Sequence, residues 1–538
     1  MSQAYDLSGF WTRRRMVRSS LGVASAWAGA RNAAAQASSN PETTAASRPR
    51  KAGPILVRSQ RQLLCDQVLV ERGSALLKDW PRNIRWSVGS VERSPEPVYV
   101  PHLPWEQGCF YWPRVLYDGG RFRLWYNAAA DETMGGVTQE YDKVAYAESD
   151  DGIHWRTPEL GIIEWNGSKK NNIVFNAGRS EGGLRAHGPA PFIDPAAPPA
   201  ERYKMVYGDN LGSRTTNGSA FFGLLGAYSA DGLHWRRYPE VFMIKPDAQS
   251  GVSYDPVLGK YVAYVRGGGK YGGLPLGPDP IPAADRGRTI FRMESDDFRK
   301  WTPPVPCLEP DIYDPMDMDY YTNGYSAYPW ADRVHFMFPG AFHAGPQKTR
   351  IQVAVSRDNV HWTRPARETF IDNGPEGSYD AGMIYVAPGL VDVGGDRLAL
   401  YTQTAALGKD SMARQKSPYH GFAMGRVTFR KDRIIGMEAG QAEGFFSTRD
   451  LLFEGGQLEV NAEPTAANGQ LSVEIASVES GRICDGYEFS ACDTIRRDDL
   501  HTVVRWGGKT DVSRWAQKPV RVRFRARSMR IYAFQFKA

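Results

Sequence analysis

Four segments of this chain are versions of one another. Ser149-Asp150-Asp151-Gly152-Ile153-His154-Trp155 is answered by Ser229-Ala230-Asp231-Gly232-Leu233-His234-Trp235. Looser copies follow at Ser295-Asp296-Asp297-Phe298-Arg299-Lys300-Trp301 and Ser356-Arg357-Asp358-Asn359-Val360-His361-Trp362. Each reads Ser-x-Asp-x-x-x-Trp, and successive copies start 80, 66 and 61 residues apart. Recurrence at such a period marks a repeat architecture whose unit is about one four-stranded sheet. The residue types suit a tight turn after a strand. Ser and Asp side chains bond the following backbone and hold the loop closed. Gly152 and Gly232 supply a positive φ, and the Trp offers a large apolar face to a neighbouring sheet. His154, His234 and His361 sit at equivalent positions on separate repeats, so they are expected not to converge on a metal.

The strand-and-turn runs give five units. The first passes through Val115 to Tyr126, and the second through Pro191-Phe192-Ile193-Asp194 and Tyr203 to Tyr207. The third holds Val252 to Pro256 and Lys260 to Tyr264, and the fourth Ala327-Tyr328 and Val334 to Phe338. The fifth holds Met383 to Val386 and Leu398 to Tyr401, and closes at Arg430-Lys431-Asp432-Arg433 without the Trp motif. Five such units predict a five-bladed β-propeller. Beyond residue 447, Leu458-Glu459-Val460-Asn461, Leu471 to Ile475, Val503 to Trp506 and Val520 to Phe524 largely alternate apolar with polar. Period-two strands without the turn motif predict a C-terminal β-sandwich. The fold class is therefore all-β. The expected division is 1–37 leader, 38–53 linker, 54–94 lead-in, 95–447 propeller and 448–538 sandwich.

The 538-residue chain is long enough for a sizeable core, and its 55 Gly and 26 Tyr suit a turn-rich β protein. Of its formal charge of +6, residues 1–37 carry +4 and the rest +2, which does not suggest a nucleic-acid groove. No stretch approaches the roughly 18–20 apolar residues of a membrane span. Thr12-Arg13-Arg14-Arg15-Met16-Val17-Arg18 resembles a twin-arginine export signal, followed by a weakly apolar segment and Ala35-Gln36-Ala37. Export to the periplasm or beyond, with a mature start near Ser38, is the expectation. Five cysteines are too few and odd in number for a disulfide scaffold, although Cys484 and Cys492 could face each other on a hairpin. No cysteine or histidine cluster has zinc spacing.

The arrangement resembles exported five-bladed-propeller glycoside hydrolases of families 32 and 43 with a C-terminal β-sandwich, over most of residues 60–538. The likeness rests on Pro104-Trp105-Glu106, the Ser-x-Asp-Gly-x-x-Trp turns, Asp380-Ala381-Gly382-Met383-Ile384-Tyr385 and Leu458-Glu459-Val460-Asn461. The family-specific motifs are not intact: Trp-x-Asn-Asp-Pro-Asn and Arg-Asp-Pro are absent, and Trp112-Pro113 stands where family 43 has its first-blade Asp-Pro.

The resemblance implies an axial funnel with carboxylates just upstream of the inner strands. Glycoside hydrolysis needs one carboxylic acid for the leaving oxygen and a second carboxylate as nucleophile or base. Asp380, Asp247 and Glu106 are the candidate catalytic residues. Candidate substrate contacts are Trp105, Arg185, His187, Arg266, Asp319, Asn323 and Glu376. No catalytic metal or cofactor is expected, but the acidic run Asp311, Asp314, Asp317 and Asp319 could hold a structural calcium ion. The expected function is an exported hydrolase of an oligo- or polysaccharide, with no nucleic-acid partner and no membrane insertion. A noncatalytic carbohydrate-binding propeller is the first alternative. A glycoside phosphorylase is the second, and would need Arg and His clustered for phosphate.

Overall fold

In a computed structural model, residues 53–72, 79–107, 110–134, 137–176, 186–214, 220–244, 247–267, 287–408 and 422–537 are described. The leader and most of the linker expected from the sequence lie outside them. Among the described residues no helix is long and apolar enough to cross a membrane.

The strands are grouped as the turn repeat predicts. Unit one is the antiparallel sheet Phe110–Asp118, Arg121–Met134, Val137–Ser149 and Ile173–Phe175. Unit two is His187–Ile193, Tyr203–Arg214, Ala220–Ser229 and Arg236–Ile244. Unit three is Asp247–Asp255, Lys260–Gly267, Thr289–Ser295 and Val305–Leu308. Unit four is split: Ser326–Tyr328, Val334–Met337 and Ala354–Ser356 form one small sheet, and Met318–Tyr320, Gly340–His343 and Lys348–Ile351 another. Unit five orders Met383–Val386, Arg397–Ala405 and Ala423–Arg430, with Glu92–Arg93 as its last strand. The first strands of units one, two and three pack in succession, and Thr289–Ser295 meets Met318–Tyr320. Lys348–Ile351 meets Met383–Val386, and Arg397–Ala405 returns to Phe110–Asp118, so the five units close a ring.

The repeated turn is the latch between neighbours. In its first copy Ser149 Oγ accepts from the Gly152 N–H at 2.9 Å, while Asp151 Oδ1 accepts from the Ile153 and His154 N–H groups at 2.8 Å each. The same bonds recur at Asp231, Asp297 and Asp358. His154, His234 and His361 each turn Nδ1 to the turn's own aspartate, so all three are turn hardware. Each closed turn then docks on the preceding unit. Tyr401 of unit five donates to Gly152 O at 2.9 Å, and Trp125 Nε1 of unit one donates to Gly232 O at 2.7 Å. Tyr264 of unit three donates to Asn359 O at 2.8 Å. The unmarked fifth turn does the same, with Tyr328 of unit four donating to Asp432 Oδ1 at 2.8 Å. In the third copy a left-handed Phe298 (φ 66°) replaces glycine and packs its ring against Phe192 and Tyr261, 5.7 and 5.2 Å away. Backbone strain is accepted there because the side chain fills the interface between units.

Two six-stranded sheets form the C-terminal sandwich around Leu458, Val473, Val522, Phe524 and Phe534. Its limits differ from the expected 448–538. Ile435–Ala439 and Gly444–Ser447 already belong to it, and the lead-in is woven through both sheets. Ile55–Arg58 pairs parallel with Leu451–Phe453, Gln62–Leu63 pairs with Met529–Lys537, and Ile84–Val88 pairs with Ile435–Ala439. The lead-in thus completes both the sandwich and unit five, a pairing across more than 300 residues that local pattern does not reveal. Cys484 and Cys492 are buried free thiols, not a disulfide. Both fill the sandwich core as small apolar side chains.

Candidate functional site

Register fixes which end of the ring is which. Tyr117 near the end of the first inner strand lies opposite Phe122, which lies opposite Ser149 at the latch turn. The starts of the inner strands therefore gather at the end remote from the latches. There the five units place unlike side chains against one another.

Unit one supplies Tyr111, Trp112 and Asp142, and unit two supplies His187. Asp142 Oδ2 lies 2.7 Å from His187 Nδ1, and Trp112 Nε1 donates to His187 Nε2 at 3.0 Å. These bonds fix the neutral tautomer with its proton on Nδ1. The Trp112 ring lies 5.7 Å from that of Tyr385 on unit five, which lies 5.0 Å from Tyr321 at unit four. Two guanidinium groups from unit three flank Tyr321, with Arg266 4.2 Å and Arg288 4.8 Å from its ring centre. Arg288 pairs with Asp319 at 2.7 Å, and Arg266 donates to Tyr321 O at 3.1 Å. The other oxygen of Asp319, Oδ1, is buried and meets no donor among the described residues. Gln249 of unit three closes the floor by donating to Trp112 O, Pro113 O and Pro189 O. Burial pushes the Tyr385 hydroxyl well above its usual range, so at neutral pH it remains protonated. The result is an aromatic bowl with His187, Arg266 and Arg288 set among Asp142 and Asp319.

Several residues named from the sequence meet here. His187, Arg266 and Asp319 belong to the cluster. Asp247 heads the third inner strand, with its backbone opposite that of Arg266. Arg185 lies outside the described residues. Others are elsewhere. Glu106 has no exposed surface: it accepts from Tyr99 and Tyr126 at 2.5 Å each and from the His102 and Leu103 N–H groups. Its carboxylate clamps its own loop and does not open on the funnel. Trp105 is buried with it and donates to Asn172 at 2.8 Å, so its ring offers no free face for a sugar. Asp380 pairs with Arg93 of the closing strand at 3.0 Å and accepts from Ser378 at 2.7 Å, fastening the lead-in to unit five. Asn323 is buried on inner-strand carbonyls, and Glu376 stands exposed in a turn. The acidic run is also divided. Asp311 and Asp314 grip Arg364 and Arg367, Asp317 accepts from the Gly345 N–H, and Asp319 faces Arg288. Among the described residues no group of three or more His, Cys, Asp or Glu is set to hold a metal ion.

Sequence reading missed Asp142, Arg288, Tyr321 as a partner of two arginines, and Tyr385. Asp142 lies deep in the third strand of its unit, where an alternating strand gives no sign of which end faces the axis. Arg288 follows a long stretch without a strand pattern.

No family model and no curated protein matches this sequence. Solved structures resemble the chain at low identity. A β-1,2-mannobiose phosphorylase from Listeria innocua has a TM-score of 0.43 at 10% identity, covering 63% of this chain and 97% of its own. A glycosyl hydrolase from Bacteroides ovatus has a TM-score of 0.41 at 16% identity, covering 65% and 96%. A structure from work on the GH130 family of mannoside phosphorylases, with hydrolases that target β-1,2 mannosidic linkages in Candida mannan, has a TM-score of 0.42 at 15% identity, covering 63% and 94%.

Proposed function

We propose that the protein is an exported glycoside-cleaving enzyme whose substrate sits in the bowl at the mouth of the propeller. The observation that carries this reading is the convergence of all five units on one cluster of aromatic, cationic and carboxylate side chains. The half-buried rings of Tyr111 and Tyr321 suit the apolar faces of sugar rings, and charged groups in a partly dry site suit their hydroxyls. Asp247 keeps its catalytic assignment and Asp319 joins it in place of Glu106 and Asp380, whose oxygens bond to scaffold groups. One carboxylic acid protonates the glycosidic oxygen. The other carboxylate takes a proton from the water that attacks the anomeric carbon, while the bond from that carbon to the glycosidic oxygen breaks and the leaving sugar keeps the proton given by the acid. Asp142 and Trp112 hold the His187 ring in place between units one and two.

A specific feature favours the second reading, phosphorolysis. Arg266 and Arg288 stand on one tyrosine ring, a pair of guanidinium cations that suits an oxyanion. Release of sugar from an oligosaccharide panel, run with and without inorganic phosphate, tests both. Cleavage without phosphate supports hydrolysis, and cleavage dependent on phosphate that yields a sugar phosphate supports phosphorolysis. Saccharide binding without cleavage under either condition moves the protein to the noncatalytic class. The twin-arginine-like leader is the basis for export. Replacing Arg13 and Arg14 by lysine should retain the protein in the cytoplasm.

A further inference from the structure

Beneath the bowl, Arg114 lies on the same inner strand as Trp112, between units two and five. Its Nε donates to Pro191 O on unit two at 3.0 Å. Its guanidinium lies so close to unit five that a Cβ built on Gly389 would stand 2.3 Å from Nη1. The Gly389 N–H is already committed to Tyr325 O and Ser326 Oγ on unit four, at 2.9 and 3.0 Å. Arg114 is only 8% exposed, and Nη1 is buried without an acceptor. No carboxylate pairs with it among the described residues. Burial pulls its pKa down only to about 10, with Tyr325 acting the other way, so the group stays charged at neutral pH.

Two arginines of the sandwich are treated differently. Arg521 and Arg523 share the buried Asp79 at 2.9 and 2.7 Å and hold further carboxylates. Buried charges are ordinarily paired, and a guanidinium has five donors to satisfy. Among the described residues Arg114 uses one of them, in the bond to Pro191 O. Water on the remaining donors would satisfy hydrogen bonds but not the charge.

We propose that the axis beneath the bowl is a binding site for a small monovalent anion of the halide class, held by the Arg114 guanidinium. A halide fits because one positive charge balances it and it has no shape to match within the narrow ring of inner strands. A phosphate dianion would bring two charges to one guanidinium in a site closed on one side by the Gly389 backbone. The site is separate from the cleavage chemistry proposed above, so its test does not depend on activity.

Crystals of the whole mature protein grown in bromide should show an anomalous peak in contact with Arg114 Nη1 or Nη2. Replacing methanesulfonate by chloride at constant ionic strength should raise Tm by roughly 2 °C or more, through binding to the folded state alone. Arg114→Met should abolish that rise and be at least as stable as wild type without chloride, because it removes an unbalanced charge. Arg114→Lys, which keeps the charge, should retain part of the rise. If the Met variant fails to fold, the bromide map and the wild-type chloride response still decide. A map without the peak, or a peak with Tm indifferent to chloride, overturns the proposal and leaves water or an adventitious ion only.

Discussion

The two ends of the propeller are built from the same strands by opposite rules. At the latch end each unit repeats one solution: an aspartate gathers backbone N–H groups, and the closed turn docks on the unit before it. At the mouth end no position repeats: tryptophan, histidine, arginine, aspartate and tyrosine come from different units to one place. Repetition solves a problem that recurs five times, the joining of neighbours. A substrate is asymmetric and appears once, so the residues that would meet it cannot follow the repeat. Change at the latches should therefore alter stability without altering chemistry, and change at the mouth should do the reverse.

The largest expected break is at the latch where a phenylalanine stands in place of the glycine of the first two copies. Phe298→Ala removes a fully buried ring and should cost about 3–5 kcal/mol in denaturant unfolding while leaving turnover per folded molecule unchanged. Phe298→Gly sharpens the comparison. It loses the same ring but relieves the left-handed backbone, so it should regain about 1 kcal/mol relative to alanine. Equal stabilities for the two variants would mean that φ at this position is not strained.

Next comes a pair of aspartates that sequence alone does not separate. Asp319→Asn at the mouth should lower turnover on the order of a hundredfold or more. Asp380→Asn should leave turnover within about twofold, yet cost about 1 kcal/mol by breaking the partly exposed ion pair with Arg93. Activity assays on the folded fraction, beside unfolding curves, read both quantities. Loss of turnover in the Asp380 variant alone would return the catalytic assignment to the fifth inner strand.

What was legible in the sequence follows the same division. The turn repeat announced four of the latches and the all-β class, because Ser, Asp, Gly and Trp act there through local geometry. It even held for the fifth turn, where Asp432 does the docking without the motif. The closing strand Glu92–Arg93 and the sandwich strands of the lead-in were hidden, since their partners lie hundreds of residues away. At the mouth, His187, Arg266 and Asp319 were named from their places near inner strands, and the structure brings them into one cluster. Glu106 and Asp380 were named on the same ground but bond to scaffold groups, for a physical reason. A carboxylate before a strand looks the same whether it faces a funnel or clamps its own loop, and only the donors around it tell the difference.

The smallest expected effect tests the latch by pH. Asp151, Asp231 and Asp358 are each partly buried, which opposes ionisation, but the histidine and backbone N–H groups of the turn outweigh that and hold their pKa values below the usual range. A carboxylate depressed on folding adds stability above its unfolded pKa of about 3.9 and loses it as pH falls toward the folded value. The latches should therefore be at full strength at neutral pH and weaken progressively below about pH 4. Asp151→Asn keeps the shape of the turn and removes one titrating group. At neutral pH it should cost about 1 kcal/mol or less, because the carboxylate is half exposed and water screens it. As pH falls below about 4, the Tm curves of wild type and variant should converge, since wild type alone loses this contribution. Curves that stay parallel down to about pH 2.5 would show that the Asp151 charge does not hold the latch, leaving the Ser149 bond and the docking of Gly152 on Tyr401 to do so.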